Sequence, residues 1–150
     1  PIMLNLTDYM SVGQNSMATK VVQHSDTADN YSNDLKNLLA TPKLLHLAID
    51  ASIQSIDPYL PEDYVSVGVS INFVHTAPTS LGMHVTVRAS IIAIEEHDVL
   101  IELKAWDEQG DIGHGTHKRV VVTKQEVLEK AEERTRLLMN RQAAEALNGR

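Results

Sequence analysis

The sequence predicts an α+β domain in which a long antiparallel sheet wraps one central helix, followed by a helical extension at the C-terminus. Three observations carry this prediction. Residues 44–56 form a helical segment that is apolar on most of its faces; between Tyr64 and Thr123 four runs alternate apolar and polar residues; and residues 124–150 are rich in Glu, Lys, Arg, Leu and Ala. A helix apolar nearly all round must be covered, and the concave face of a sheet is the cover this chain can offer. The expected organisation is a domain over 1–123 and a helical extension over 124–150.

Each element follows from a local pattern. From Pro1 to about Met17, single apolar residues are scattered among Asn, Ser, Gly and Asp, which predicts irregular chain with an early strand. Met17, Val21 and Val22 continue that strand, and His24-Ser25-Asp26-Thr27 supplies capping side chains for a short helix within the loop from Thr27 to Leu39. Thr41-Pro42 reads as the start of the central helix, with the Thr hydroxyl as cap and Pro at the first helical position, where it forfeits no hydrogen bond. The helix carries Leu44, Leu45, Leu47, Ala48, Ile49, Ala51, Ile53 and Ile56. Only the row Lys43, His46, Asp50, Gln54 and Asp57, spaced three or four apart, interrupts its apolar surface. Asp57-Pro58 ends it.

From Tyr64 the period changes to two. Val65, Val67, Val69, Ile71 and Phe73 alternate with Ser66, Gly68, Ser70 and Asn72, as in a half-buried strand. A second strand over His84 to Glu95 shifts phase at Ile91-Ile92, as a bulge requires. Val99 to Asp107 and His114 to Thr123 complete the set, with Gly110 in the turn between them. The short connections predict an antiparallel meander. In the tail, Glu126 to Lys130 and Glu132 to Arg136 are spaced as helical ion pairs, and Val127, Leu128, Ala131, Leu138, Ala146 and Leu147 form a weak apolar stripe. Packing of this stripe and fraying beyond Arg141 are both compatible with the pattern. One buried helix followed by long antiparallel strands is the hot-dog arrangement.

Composition narrows the function. Thirteen basic against twenty acidic residues leave a net charge of −7, which argues against a nucleic-acid partner. There is no cysteine, so thiolate nucleophiles, disulfides and thiolate-bound zinc are excluded. No apolar run approaches the roughly 20 residues of a membrane-spanning helix, and the first residues lack the order of a secretory signal. The expectation is a cytoplasmic protein without a membrane partner. No Gly-rich loop opens a helix, which argues against a nucleotide-phosphate cradle.

Several short segments keep a shared spacing: Ala40-Thr41-Pro42, Asp57-Pro58-Tyr59-Leu60, Ser66-Val67-Gly68, Val74-His75-Thr76-Ala77-Pro78-Thr79 and Gly113-His114-Gly115-Thr116-His117-Lys118-Arg119. In order and spacing the chain resembles the fluoroacetyl-CoA thioesterase family of hot-dog proteins, from about Val21 to Thr123. The resemblance implies a catalytic Thr at the start of the central helix and a catalytic His after the next strand, which match Thr41 and His75. It also implies a Glu two turns along the helix, where this chain has Ile49. Asp50 is adjacent but lies about 100° further round the helix. The resemblance further implies ligand-binding roles for Gly68 and Arg119, a homodimer, and no cofactor beyond the coenzyme A of the substrate.

Read without the resemblance, the same residues have plainer roles. Thr before Pro is first a helix cap, and His75 is a structural hydrogen-bonder. Asp50 is either the acidic partner of a relocated pair or part of a polar row with His46 and Gln54, and the row is favoured. In the thioesterase that the resemblance implies, Ile49 would line the acyl pocket. His114 and His117, three apart on a strand, point to opposite faces and should not share a metal ion, so no metal site is expected. Lys118 and Arg119 either meet coenzyme A phosphates or form a solvated strand end. The reading that results is an acyl-CoA thioesterase acting on a small acyl thioester, with a non-catalytic binder of acyl-CoA or small acyl ligands as the alternative.

Overall fold

A computed structural model describes residues 4–32 and 34–149. The start of the predicted irregular opening, residues 1–3, and the last residue of the extension lie outside the described residues. Among the described residues five strands and two α-helices follow one another: β1 (Asn15–Val21), α1 (Thr41–Ile56), β2 (Tyr64–His75), β3 (His84–Glu95), β4 (Asp98–Asp107), β5 (Gly110–Thr123) and α2 (Lys124–Leu147). The strands form one antiparallel sheet in the order β1-β3-β4-β5-β2.

The predicted meander holds for β3, β4 and β5 but not for β2. That strand pairs with β5, with Tyr64 opposite Thr123 and His75 opposite Gly113, and so forms one edge of the sheet. The connection over 76–83 carries the chain away from β2 and is held by the segment before α1: Leu39 donates its amide to the Thr79 carbonyl at 2.8 Å, and Leu81 to Asn37 at 2.7 Å. A buried Thr79 hydroxyl also donates to Asp107 at 2.7 Å. These bonds give the connection partners of its own, so it need not close a hairpin. The expected short helix between Thr27 and Leu39 appears as a single 3-10 turn, Ala28–Asn30.

Register shifts between Gly68 and Ser70, Ile91 and Ala93, and Ala105 and Trp106 break the ladder. The second matches the phase change read at Ile91-Ile92. Bulges increase local twist, which lets the sheet curl round α1. Val85, Val87, Ala89 and Ile91 of β3 and Val99, Ile101, Leu103 and Ala105 of β4 are buried beneath Leu44, Leu47, Ala48, Ala51 and Ile56 of α1. Burying each large apolar side chain stabilises the fold by roughly 1.5–3 kcal/mol. Ala and Ser on the covered face allow a close approach, and the buried Ser52 hydroxyl is satisfied by the Ala48 carbonyl at 2.8 Å.

Leu45, Ile49 and Ile53 are only half-buried, and His46, Asp50 and Gln54 are exposed. The tail forms one helix through Leu147, capped at Thr123, whose hydroxyl accepts the Glu126 amide at 3.1 Å. No α2 residue is buried, and its apolar stripe is open apart from half-buried Val127. No helix among the described residues is long and apolar enough to cross a membrane.

Candidate active site

The start of α1 is fixed from outside the helix. Ala40 donates its amide to the Asp26 carbonyl at 2.8 Å, one residue after the Leu39 to Thr79 bond. Ala40, not Thr41, is the N-cap, so Thr41 is the first helical residue and its side chain makes no capping bond. The cap assignment read from Thr41-Pro42 is therefore corrected. Ala40's own carbonyl already accepts the Lys43 and Leu44 amides, and the Thr41 hydroxyl is turned outward instead. Its Oγ1 lies 2.8 Å from Nδ1 of His75, the last residue of β2.

The environment of His75 suits it to accept a proton. Burial lowers its pKa below the ordinary 6.5, outweighing the raising influence of the nearby Ala77 backbone, so the ring is neutral at pH 7. Nδ1 is committed to Thr41, while Nε2 is buried with no hydrogen-bond partner. The pair opens onto a groove of about 290 Å³ walled by Leu35, Leu38, Leu39, Ala77 and Pro78. Ile49 and Asp50 do not line this groove. Asp50 instead pairs with His46 across one helical turn at 3.4 Å on the exposed face, which is the polar row favoured by the sequence pattern.

A second cluster is built on the middle of β2. Arg119 of β5 stands opposite Gly68 and is only 5% exposed, so the solvated strand end read for Lys118 and Arg119 does not describe it. Lys118 does face outward and pairs with Asp98 at 3.4 Å. The Arg119 guanidinium donates from Nε to Ser66 Oγ at 2.7 Å, from Nη2 to the Ser66 carbonyl at 2.7 Å, and from Nη1 to His117 Nε2 at 3.2 Å. His117 donates from Nδ1 to the Ser70 carbonyl at 2.8 Å, which leaves Nε2 as the acceptor Arg119 requires. Burial, joined by the positive charge of Arg119, lowers the His117 pKa and keeps that ring neutral.

Asp57, at the end of α1, accepts the Ser66 amide at 3.3 Å and the Ser66 hydroxyl. Desolvation lowers the Arg119 pKa and Asp57 opposes the shift. His114 is exposed and His117 buried, so the two do not converge. Sequence reasoning missed Asp57, Ser66 and His117 as parts of a site. Asp57 stood in the polar row of the helix and Ser66 among the alternating residues of a strand, and neither pattern signals that they meet.

A curled antiparallel sheet around one helix, with a Thr–His pair where the helix starts and the edge strand ends, defines a hot-dog domain of the thioesterase kind. Residues 22–125 match FlK, the fluoroacetyl-CoA-specific thioesterase family, and the chain belongs to that family. It is 31% identical over 103 residues to the fluoroacetyl-CoA thioesterase of Streptantibioticus cattleyicolor, covering 69% of this chain and 74% of that one. Among solved structures it resembles a hot-dog-like protein from Thermanaerovibrio acidaminovorans, with TM-score 0.83 and 30% identity over 87% of this chain and 97% of the other. It also resembles an FlK variant in complex with acetyl-CoA, with TM-score 0.77 and 27% identity over 84% and 99% of the two chains. The family match ends at 125, so nearly all of α2 lies beyond it.

Proposed function

We propose that this protein hydrolyses a small acyl-CoA thioester at the Thr41–His75 pair and works as a homodimer. The observation that carries the reading is the 2.8 Å contact between the Thr41 hydroxyl and a neutral imidazole. A hydroxyl needs an adjacent base to become a nucleophile, and His75 is placed as that base. Thr41 Oγ1 attacks the thioester carbonyl as its proton passes to Nδ1; the C–S bond breaks and coenzyme A leaves as the thiol with that proton. Water then attacks the acyl-Thr ester, giving a proton to Nδ1, and Thr41 is restored as the acid departs. The Thr41 amide has no backbone carbonyl partner among the described residues and is the donor at hand for the oxyanion. The reaction consumes water and the thioester alone, so coenzyme A enters as part of the substrate. A groove of about 290 Å³ suits a short acyl arm, being at the lower end of the roughly 300–1,000 Å³ of small-ligand sites.

Strand geometry supports the dimer. Gly68 and His75 lie on one strand, roughly 20 Å apart at about 3.3 Å per residue, so one small acyl group cannot reach both within a chain. Yet β2 is an edge, with exposed Val69 and Val74 and one unpaired side. Antiparallel pairing of β2 with its copy about Ile71 and Asn72 would set the Gly68–Arg119 cluster of one protomer beside the partner subunit's His75. Each chain would then hold two half-sites that are completed only across the two-fold axis.

Mixing tests this arrangement. In a one-to-one mixture of His75→Ala and Gly68→Val chains, about half the dimers pair the two variants, and each such dimer keeps one site with both halves intact. About a quarter of wild-type thioester hydrolysis should return from two inactive parents. A mixture that exchanges subunits and stays inactive contradicts the composite site. The second reading, a binder without turnover, is favoured by Ile49 at the position of the family's Glu; it predicts binding of acyl-CoA with no thiol release.

A further inference from the structure

We infer that Asp57, acting through Ser66, is the positioning residue for Arg119, and that this relay holds the guanidinium, with an uncommitted N–H on Nη1, beside the gap over Gly68 to grip the acyl thioester. The inference rests on the acyl-CoA reading above. Of the five N–H groups of a guanidinium, three are used here: Nε and one of Nη2 on Ser66, and one of Nη1 on His117. One N–H on each of Nη1 and Nη2 remains. A side chain at position 68 would place its Cβ 3.4 Å from both Arg119 Nη1 and His117 Cε1, so the absence of one leaves an opening above them. Gly68 has an ordinary negative-φ backbone and is exposed, so space and not backbone conformation distinguishes the glycine here. The register shift between Gly68 and Ser70 bends β2 at the same point.

Asp57 supplies what this arrangement lacks. A buried cation is tolerated when an anion and directed acceptors face it. Asp57 makes no direct ion pair with Arg119 among the described residues; it fixes Ser66 by accepting both its amide and its hydroxyl hydrogen, which turns the Ser66 oxygen lone pairs toward Nε. The relay therefore locks the guanidinium plane at two edges, on Ser66 and on His117, and leaves the remaining N–H groups no freedom to swing away. Arg119 would contact the ligand; Asp57 and Ser66 would act through it.

The test compares Asp57→Asn, Ser66→Ala, Ser66→Thr and Gly68→Ala with the wild-type homodimer on acetyl-CoA and fluoroacetyl-CoA. Steady-state hydrolysis is measured, together with calorimetric binding of acetyl-CoA to each variant in a His75→Ala background. Asp57→Asn and Ser66→Ala should raise KM and weaken binding about tenfold while kcat moves less than about threefold, because the grip holds ground state and transition state alike. Ser66→Thr, which keeps the hydroxyl, should behave as wild type. Gly68→Ala adds a methyl at contact distance without disturbing the relay; it should keep the wild-type melting temperature and still weaken binding. That variant keeps the proposal open to refutation should Asp57→Asn fail to fold. Folded variants with lower melting temperature but unchanged KM and binding would overturn the relay alone and make it purely structural. A wild-type protein that binds neither thioester would overturn the relay together with the acyl-CoA reading.

Discussion

The two ends of the candidate site treat their polar groups in opposite ways. At the end of β2, His75 has one nitrogen on Thr41 and the other buried without a partner. Beside the middle of the same strand, His117 of β5 has both nitrogens engaged, and Arg119, Ser66 and Asp57 close a chain of hydrogen bonds. A buried polar group without a partner is costly to a fold, whereas a closed network stabilises and fixes it. The contrast separates a pair kept ready for chemistry from a cluster that must first hold its own shape.

Substitutions should divide along the same line. Arg119→Ala leaves Ser66, His117 and Asp57 without the cation that ties them together, and should cost about 3–5 kcal/mol in urea unfolding. Thr41→Ala removes only a hydroxyl at an exposed helix start; it should cost less than about 1 kcal/mol yet lower kcat about 100-fold or more. Equal stability losses for the two would erase the distinction.

Acid should act on both ends together. Because the His75 pKa lies below 6.5, kcat/KM should hold as pH falls to that value and decline only beneath it, as the base becomes protonated. Burial lowers both His75 and His117, so below 6.5 the unfolded chain binds more protons than the folded one. Stability should therefore also fall as pH drops below that value, and an unfolding series against pH measures it. An activity limb above 6.5 would contradict a buried neutral base.

The smallest expected change is a gain. Ile49→Glu places a carboxylate on the half-buried face of α1, two turns beyond Thr41. If the wild type lacks an acid that would orient the base, hydrolysis should rise, offset by the cost of a carboxylate that tends to stay protonated when buried. A folded variant that binds acyl-CoA with no gain in turnover defeats the missing-acid explanation and favours a different catalytic arrangement or a pure binding role.

Much of the architecture was legible because it repeats locally. The apolar run of α1, the period-two strands and the phase slip at Ile91-Ile92 each record, within a few residues, which face is covered. The placement of β2 was not legible, since its position beside β5 depends on bonds from the 76–83 connection to residues before α1. Thr41 misled for a related reason: Thr-Pro has a strong local meaning as a cap, but Ala40 is pinned by Asp26 and frees the hydroxyl for His75. His75 carried no local signal at all, and only its spacing within the family resemblance singled it out. The Arg119 relay joins Ser66 to a residue 53 positions away, a distance no local period records.

Release of free thiol from acetyl-CoA and fluoroacetyl-CoA, compared between the wild-type protein and folded His75→Ala, tests the central claim most directly. The account predicts steady thiol release by the wild type and a loss of about 100-fold or more in the variant. Release by His75→Ala at the wild-type rate, or no release from either thioester by a folded wild-type protein, would contradict it.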